Sequence, residues 1–321
     1  MRPKLIVILG PTASGKSDLA VKLAKKMNGE VISADSRQVY KGLDIGTGKV
    51  PKDKISNFQF PISEKKGGYF YCGVPHHLLD IASPKRQFTV AQYQKLGRQA
   101  LRKIIAKNKV PIICGGTGLY VDSLLCDYPL PAVPPDPKLR RKLGKDTTDA
   151  LFEKLRKLDP VRAAGIDRFN RRRLVRALEI VLKTDSPVPP FKKEHSNILQ
   201  NVGMSPEDIL KIGVRPPDRE LKRRIHDRLF RRMRQGMVRE AQNLHKAGLS
   251  YKRMEELGLE YRYLARFLQG KISKAEMLAE LEKEIWRYAK RQMTWFKRDK
   301  NIRWIKNSRE VGKLILGSPT S

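Results

Sequence analysis

Leu5-Ile6-Val7-Ile8-Leu9-Gly10-Pro11-Thr12-Ala13-Ser14-Gly15-Lys16-Ser17 is the stretch on which the fold turns. Five consecutive apolar residues read as a strand buried on both faces, as in a parallel sheet covered by helices. The pattern from Asp18 to Met27 is helical, so strand, glycine-rich turn and helix follow in that order. Such a turn converges its free N–H groups and the positive end of the helix on one anion, which makes it a phosphate-cradling P-loop. Its glycines let the backbone approach phosphate oxygens, Lys16 brings a mobile charge, and Ser17 can place a hydroxyl on Mg²⁺. Nucleotide and diphosphate look alike to this device.

Working outward, Glu30-Val31-Ile32-Ser33-Ala34 reads as a second buried strand that delivers Asp35-Ser36-Arg37-Gln38-Val39-Tyr40. Ligands of an open α/β sheet bind outside the carboxyl ends of the strands, so Asp35 should lie near the cradle. There it could hold Mg²⁺ through water or take a proton from a nucleophile; a capping aspartate that opens a short turn is the plainer alternative. Gly42 to Lys49 reads as a loop. Residues 51–75, with Lys65-Lys66-Gly67-Gly68, read as an irregular excursion holding a small hairpin around Tyr69-Phe70-Tyr71, and Pro75 to Ile81 as a third strand. His76 and His77 are weak as a metal pair, because neighbours on a strand point to opposite faces. Val90 to Asn108 has helical periodicity, and Val110-Pro111-Ile112-Ile113-Cys114 is a fourth strand ending in Gly115-Gly116-Thr117-Gly118-Leu119-Tyr120. That end should border the same crevice, with Thr117 offering a hydroxyl or a helix cap.

Prolines at 129, 131, 134, 135 and 137 exclude a regular element and mark a hinge. Helical patterns follow at Thr148 to Leu158 and Asn170 to Lys183, then a loop with Pro187, Pro189 and Pro190. Arg172 and Arg176 are one turn apart, beside an apolar stripe of Leu174, Leu178 and Val181; a merely solvated charged face has the same pattern. Ile209 to Val214 reads as a fifth strand, and Pro217-Asp218 opens a long helix carrying Arg223, Arg224, Arg228, Arg231 and Arg232. An arginine there suits a bidentate grip on phosphate, although periodicity does not decide which one points inward. The last long helix runs from about Lys274 to Arg298, with Leu278, Leu281, Ile285, Ala289, Met293 and Phe296 on one face. The opposite face carries Arg287, Arg291, Thr294 and Arg298 beside Trp286 and Trp295, a set that suits RNA backbone and stacked bases. Asn301 to Ile305 reads as a closing strand, and the tail after Gly312 has no pattern. The expected fold is α/β: a P-loop NTPase-like parallel sheet core over 1–126 and 206–321, with an inserted helical domain at 127–205.

Lys+Arg of 67 against Asp+Glu of 33 gives this 321-residue chain a net charge of +34 and a pI near 10.3. Such an excess argues for a polyanionic partner, nucleic acid above all. Cys72, Cys114 and Cys126 show neither metal-ligand pairing nor an even disulfide set, which points to a reducing compartment. No signal peptide precedes the first strand and no apolar run reaches about 18 residues, so a cytoplasmic protein without a membrane is expected.

Seven segments together resemble the tRNA dimethylallyltransferase (IPP transferase) family. They are Gly10 to Ser17, Ala34 to Tyr40, Asp44-Ile45-Gly46-Thr47-Gly48-Lys49, His76-His77-Leu78-Leu79-Asp80, Gly115 to Tyr120, Arg173-Leu174-Val175-Arg176-Ala177-Leu178-Glu179 and Lys290-Arg291-Gln292-Met293-Thr294-Trp295-Phe296. The resemblance implies transfer of a dimethylallyl group from dimethylallyl diphosphate to N6 of the adenosine 3′-adjacent to the tRNA anticodon, with Mg²⁺ on Ser17. It implies that Gly10, Thr12, Ala13, Ser14, Gly15, Lys16 and Ser17 cradle the diphosphate, that Arg224 anchors it, and that Asp35 takes the N6 proton. It further implies that Thr117 lies where the substrates meet and that Asp35, Ser36, Arg37 and Gln38 line the channel of a flipped adenosine. Arg172, Arg173 and Arg176, with Arg287, Lys290, Arg291, Thr294 and Arg298, would grip the anticodon stem-loop of the tRNA, bound by a monomer. Glu256 to Arg262 stands where the family's isoleucine-glycine-tyrosine signature is expected. Three rivals share the cradle: a small-molecule or nucleoside kinase, a prenyltransferase acting on free adenylate, and an RNA-binding protein that senses nucleotide.

Overall fold

The computed structural model describes residues 4–54, 68–126, 130, 133–189, 197–307, 310 and 311. Met1 to Pro3, Lys65 to Gly67, Pro129, Pro131, Pro190 and the tail from Gly312 lie outside the described residues.

β1 (Leu5–Leu9) is buried along its whole length and runs through the glycine turn into α1 (Lys16–Met27). β2 (Gly29–Ser33), β3 (Tyr69–Tyr71), β4 (Val74–His77), α2 (Val90–Ala106), β5 (Val110–Gly115) and α3 (Gly118–Leu125) follow. Four helices come next: α4 (Pro137–Leu143), α5 (Thr148–Leu158), α6 (Pro160–Gly165) and α7 (Arg171–Thr184). After α8 (Asn197–Asn201), β6 (Ile209–Val214) leads to α9 (Asp218–Arg234), α10 (Met237–Lys246), α11 (Tyr251–Leu257), α12 (Leu259–Leu268), α13 (Lys274–Phe296) and β7 (Arg303–Ile305).

The sheet has the order β3-β4-β2-β5-β1-β6-β7, parallel throughout except for the β3–β4 pair. β1 sits between β5 and β6, with Ile8 opposite both Cys114 and Ile212, so the glycine turn leaves the middle of the sheet at its carboxyl edge. Two glycines are required where the strand ends crowd. A Cβ on Gly10 would stand 2.4 Å from the Val214 carbonyl oxygen, and one on Gly115 would stand 2.1 Å from that of Ala34.

The hairpin expected around Tyr69 forms, but the third strand stops at His77 instead of reaching Ile81. Leu78 and Asp80 adopt left-handed backbone, at φ 65° and 54°, and the Asp80 carboxylate turns to meet the buried Lys49 ammonium. The strands at 110–115, 209–214 and 303–305 and the helices at 90–106, 148–158, 171–184, 218–234 and 274–296 stand close to where the residue pattern predicts them. Sequence reading proposed no element across 235–273, where α10, α11 and α12 form.

The described chain divides into two compact units, residues 1–125 with 195–321, and residues 126–194. The second unit ends at 194, ahead of the expected 205, and α8 belongs to the first, where Leu199 and Met204 are buried. The second unit packs α4 to α7 around Leu143, Leu151, Leu155, Leu174 and Leu178. Pro137 does not break this region: it opens α4 behind the Asp136 cap, a position where a missing N–H costs nothing. Pro160 opens α6 behind Asp159 in the same way.

Candidate active site

In the first unit a cavity of about 1170 Å³ lies beyond the carboxyl ends of β1, β2 and β5. The glycine turn forms one wall, with Ala13 at φ 63° and Gly15 at φ 90°. Gly15 occupies the cap position of α1 and no side chain caps the helix, so its first N–H groups remain available to an anion. The Pro11 carbonyl accepts from Ser14 N–H at 3.3 Å and from Lys16 Nζ at 3.0 Å. Burial pulls the Lys16 pKa down, and the Arg228 guanidinium adds to that, while Cys114 and Asp35 oppose it. An ammonium held at a cost in this way gains from a bound anion. The Ser14 hydroxyl is buried without a hydrogen-bond partner among the described residues.

α9 supplies the opposite wall. Arg224 donates to the Ser14 carbonyl at 3.2 Å and to Glu220 Oε1 at 2.5 Å. Arg228, one turn on, donates to Thr12 Oγ1 at 3.0 Å and to the Gly48 carbonyl at 3.3 Å. Among the described residues no carboxylate pairs with Arg228, whereas Arg232 is bound to Glu260 at 2.9 Å. Burial, then the neighbouring Arg232, pushes the Arg228 pKa below its ordinary value. The cavity therefore concentrates cationic charge that its own carboxylates do not offset.

The third wall carries Asp35. Its Oδ1 accepts from Arg37 N–H at 2.8 Å and Gln38 N–H at 3.3 Å, so the turn-capping alternative is correct for one oxygen while the residue also lines the cavity. Thr117 acts by its hydroxyl, which accepts from Ser36 N–H at 3.1 Å. Burial drives the Tyr288 phenol well above its ordinary pKa, so it stays protonated. The Gln38 amide is committed to the loop before Lys49, donating to the Thr47 and Gly48 carbonyls at 3.4 and 3.3 Å. That loop is fastened from outside: Glu240 accepts three backbone N–H groups, from Asp44, Ile45 and Gly46, at 3.0, 2.6 and 2.9 Å, and the Tyr261 hydroxyl at 2.7 Å.

Ser17 and Asp35 both line the cavity. No group of three or more His, Cys, Asp or Glu suited to a metal exists among the described residues. A hydroxyl and a carboxylate next to a phosphate cradle still fit Mg²⁺, which takes one or two protein oxygens and fills its octahedron with phosphate and water. His76 and His77 do other work: His76 Nδ1 meets the Val74 carbonyl at 2.9 Å and His77 Nε2 meets Glu30 at 2.7 Å. The Cys114 thiol, pushed up to about 12 by burial, is inert.

On α13 the inward residues are Met277, Leu281, Ile285, Ala289, Gln292, Met293 and Phe296; Leu278, expected inside, is half-buried because Met277 takes that place. Arg287, Lys290, Arg291, Thr294 and Arg298 are exposed as expected. Arg287 pairs with Glu284 at 2.5 Å, Lys290 lies over the Trp286 ring at 5.8 Å, and Arg298 lies over Trp295 at 5.6 Å. In the second unit Arg172 and Arg173 are exposed. Arg176 is built into its domain, donating to the buried Glu179 at 2.6 Å and to the Val133 carbonyl at 2.8 Å.

Sequence reasoning singled out Arg224 and left Arg228 among several candidates, although their spacing of four puts both on one helix face. It also passed over Gln292, the polar residue on an otherwise apolar face, Tyr288 and Glu240. No helix among the described residues is long and apolar enough to cross a membrane.

The IPP transferase family profile matches residues 38–299, and an isopentenyl transferase profile matches residues 3–59. The chain is 42% identical to tRNA dimethylallyltransferase 1 of Geotalea daltonii, over 92% of its length and 86% of the relative's. It is also 42% identical to tRNA dimethylallyltransferase 2 of Treponema denticola, over 94% and 95%. Its structure is similar to that of a tRNA isopentenylpyrophosphate transferase from Bacillus halodurans, at TM-score 0.64 and 33% identity, covering 98% of this chain and 96% of the other.

Proposed function

The chain belongs to the IPP transferase family, and from that premise we propose that it transfers a dimethylallyl group from dimethylallyl diphosphate to N6 of the adenosine 3′-adjacent to the tRNA anticodon. The observation that carries this reading is the joining, in one cavity, of an uncapped phosphate cradle walled by Lys16, Arg224 and Arg228 with the carboxylate of Asp35.

In the reaction the N6 lone pair forms a bond to C1 of the donor, the C1–O bond breaks, and diphosphate leaves with the electron pair. The helix N-terminus and the three cations meet the charge that grows on the leaving oxygens. Asp35, held by two backbone N–H groups through Oδ1, presents Oδ2 to take the proton from N6. Thr117, held by Ser36 N–H, stands where a base lifted from the anticodon loop would be held. Ser17 would hold Mg²⁺, which when bound neutralises charge on the departing diphosphate.

The exposed arginines and lysine of α13 would contact the anticodon stem-loop, as would Arg172 and Arg173, making residues 126–194 an RNA-binding insertion on a catalytic core. A cytoplasmic monomer suits that role. A nucleoside kinase would use the same cradle, but it would leave the +34 charge idle.

Incubation of the protein with dimethylallyl diphosphate and an anticodon stem-loop, followed by mass spectrometry of the nucleosides, should yield N6-dimethylallyladenosine. Brisk transfer or hydrolysis of the ATP γ-phosphate with the stem-loop unalkylated would overturn the proposal.

A further inference from the structure

Gln292 is the polar residue among the buried side chains of α13, and prenyl transfer as described gives it no task. It is 6% exposed. Its Oε1 accepts from the Thr12 N–H at 2.9 Å, and its Nε2 donates to the Gly116 carbonyl at 2.8 Å. Turning the amide over would set donor against donor and acceptor against acceptor, so the hydrogen bonds decide its orientation. Thr12 belongs to the cradle that takes the donor, and Gly116 precedes Thr117 on the side that takes the acceptor.

The contact is close on both sides. A Cβ on Gly116 would stand 2.1 Å from Gln292 Nε2. One turn away, Trp295 donates from Nε1 to Asp122 at 3.0 Å while its ring fills the space above Gly118. Residues 292 and 295 share a helix face at a spacing of three: Gln292 holds the turn between β5 and α3, and Trp295 holds the first turns of α3. Gln292 also reaches the glycine turn after β1.

We infer that Gln292 is a positioning residue: a single amide sets the separation of the donor cradle from the acceptor turn, so that the allylic carbon and the adenosine N6 meet in line. The inference rests on the prenyl-transfer reading. Reactions of this kind are sensitive to such a separation, since a shift of about 1 Å between reacting groups costs about a hundredfold in rate. A donor held out of line with N6 is open to water instead. The water oxygen then bonds to C1, the C1–O bond to diphosphate breaks, diphosphate leaves with the electron pair, and the proton of the water goes to solvent.

Gln292→Asn keeps both hydrogen-bonding groups on a side chain too short to span the gap. Gln292→Glu keeps the length and the acceptor for Thr12 but sets an oxygen against the Gly116 carbonyl. Prenyl-RNA and released diphosphate are measured in parallel, with dimethylallyl diphosphate and an anticodon stem-loop as substrates. Each variant should lose about a hundredfold in kcat for transfer while KM for the donor stays within about threefold, and diphosphate release should exceed prenyl transfer. A variant with wild-type kcat and coupled release overturns the role, as does one whose loss falls entirely in KM for the donor. If one variant melts below the assay temperature, the other carries the test. A wild-type control that alkylates nothing sinks the functional reading itself; a working control with unchanged variants sinks only the role of Gln292.

Discussion

Asp35 does two jobs with two oxygens. Oδ1 closes the turn through Arg37 and Gln38 N–H, so truncation to alanine would disturb the backbone as well as remove the base. Asp35→Asn separates these roles: its Oδ1 can still cap the turn, but the amide accepts no proton. Single-turnover transfer should fall about 10²- to 10⁴-fold, and stem-loop affinity, read by filter binding, should change less than threefold. Arg228→Lys is a second test at this scale. A lysine cannot reach Thr12 Oγ1 and the Gly48 carbonyl together, so KM for the prenyl diphosphate should rise about tenfold, the loss of one charge-assisted hydrogen bond of about 1.5 kcal/mol. Neither residue is visible in the same degree from sequence. Asp35 is announced by a strand end, whereas Arg228 is one of seven arginines on α9 and only packing against Thr12 selects it.

Elements place these residues, and their joints can be tested. The edge of the sheet is tied by Glu30, fully buried on β2, which holds His77 of β4 at 2.7 Å together with Lys109 at 2.8 Å and Lys107 at 3.2 Å. Burial works to raise its pKa, but the hydrogen bonds and charges of His77 and Lys109 win and bring it to about 2. A carboxylate depressed from its ordinary 4.5 contributes stability that is complete above that pH and lost as pH falls toward 2. Melting temperature should therefore drop between pH 4.5 and 2, and Glu30→Gln should flatten that drop while costing about 3 kcal/mol at neutral pH, because Lys107 and Lys109 lose their counter-charge. His77 thus ties β4 to β2, a role that period-two alternation does not reveal, while His76 closes on the Val74 carbonyl. In the second unit Leu174, fully buried against α5 and α4 residues, is predicted to cost 2–5 kcal/mol when cut to alanine, roughly the range for a core leucine, as read by urea unfolding.

At the scale of the whole molecule the governing quantity is charge. With +34 on 321 residues, binding of an anticodon stem-loop should weaken steeply with salt, by a slope in log–log form of about −0.7 to −0.9 for each phosphate neutralised. Arg298→Ala should lower that slope by about one unit, since Arg298 is exposed and, among the described residues, lies over the Trp295 ring without an ion pair. Arg176→Ala should leave the slope nearly unchanged and lower stability, because its guanidinium is engaged by Glu179 and Val133. A uniform loss of affinity with no change of slope in the Arg298 variant would remove it from the RNA-binding surface.

The central strands, the long helices, the phosphate cradle and the acidic strand end were set by local pattern, although α10 to α12 were not legible in it: a five-residue apolar run, a glycine spacing and helical periods need no distant partner to be read. Even the helical insertion announced itself, through prolines and a change of period. What folding alone decided is which polar groups meet across long chain separations. Gln292 finds Thr12 and Gly116, Glu240 finds the amides of residues 44–46, and Arg228 finds Thr12. These pairings depend on how the helices pack against the sheet edge, and a hydrogen bond formed at 2.9 Å leaves no trace in the spacing of residues 280 positions apart.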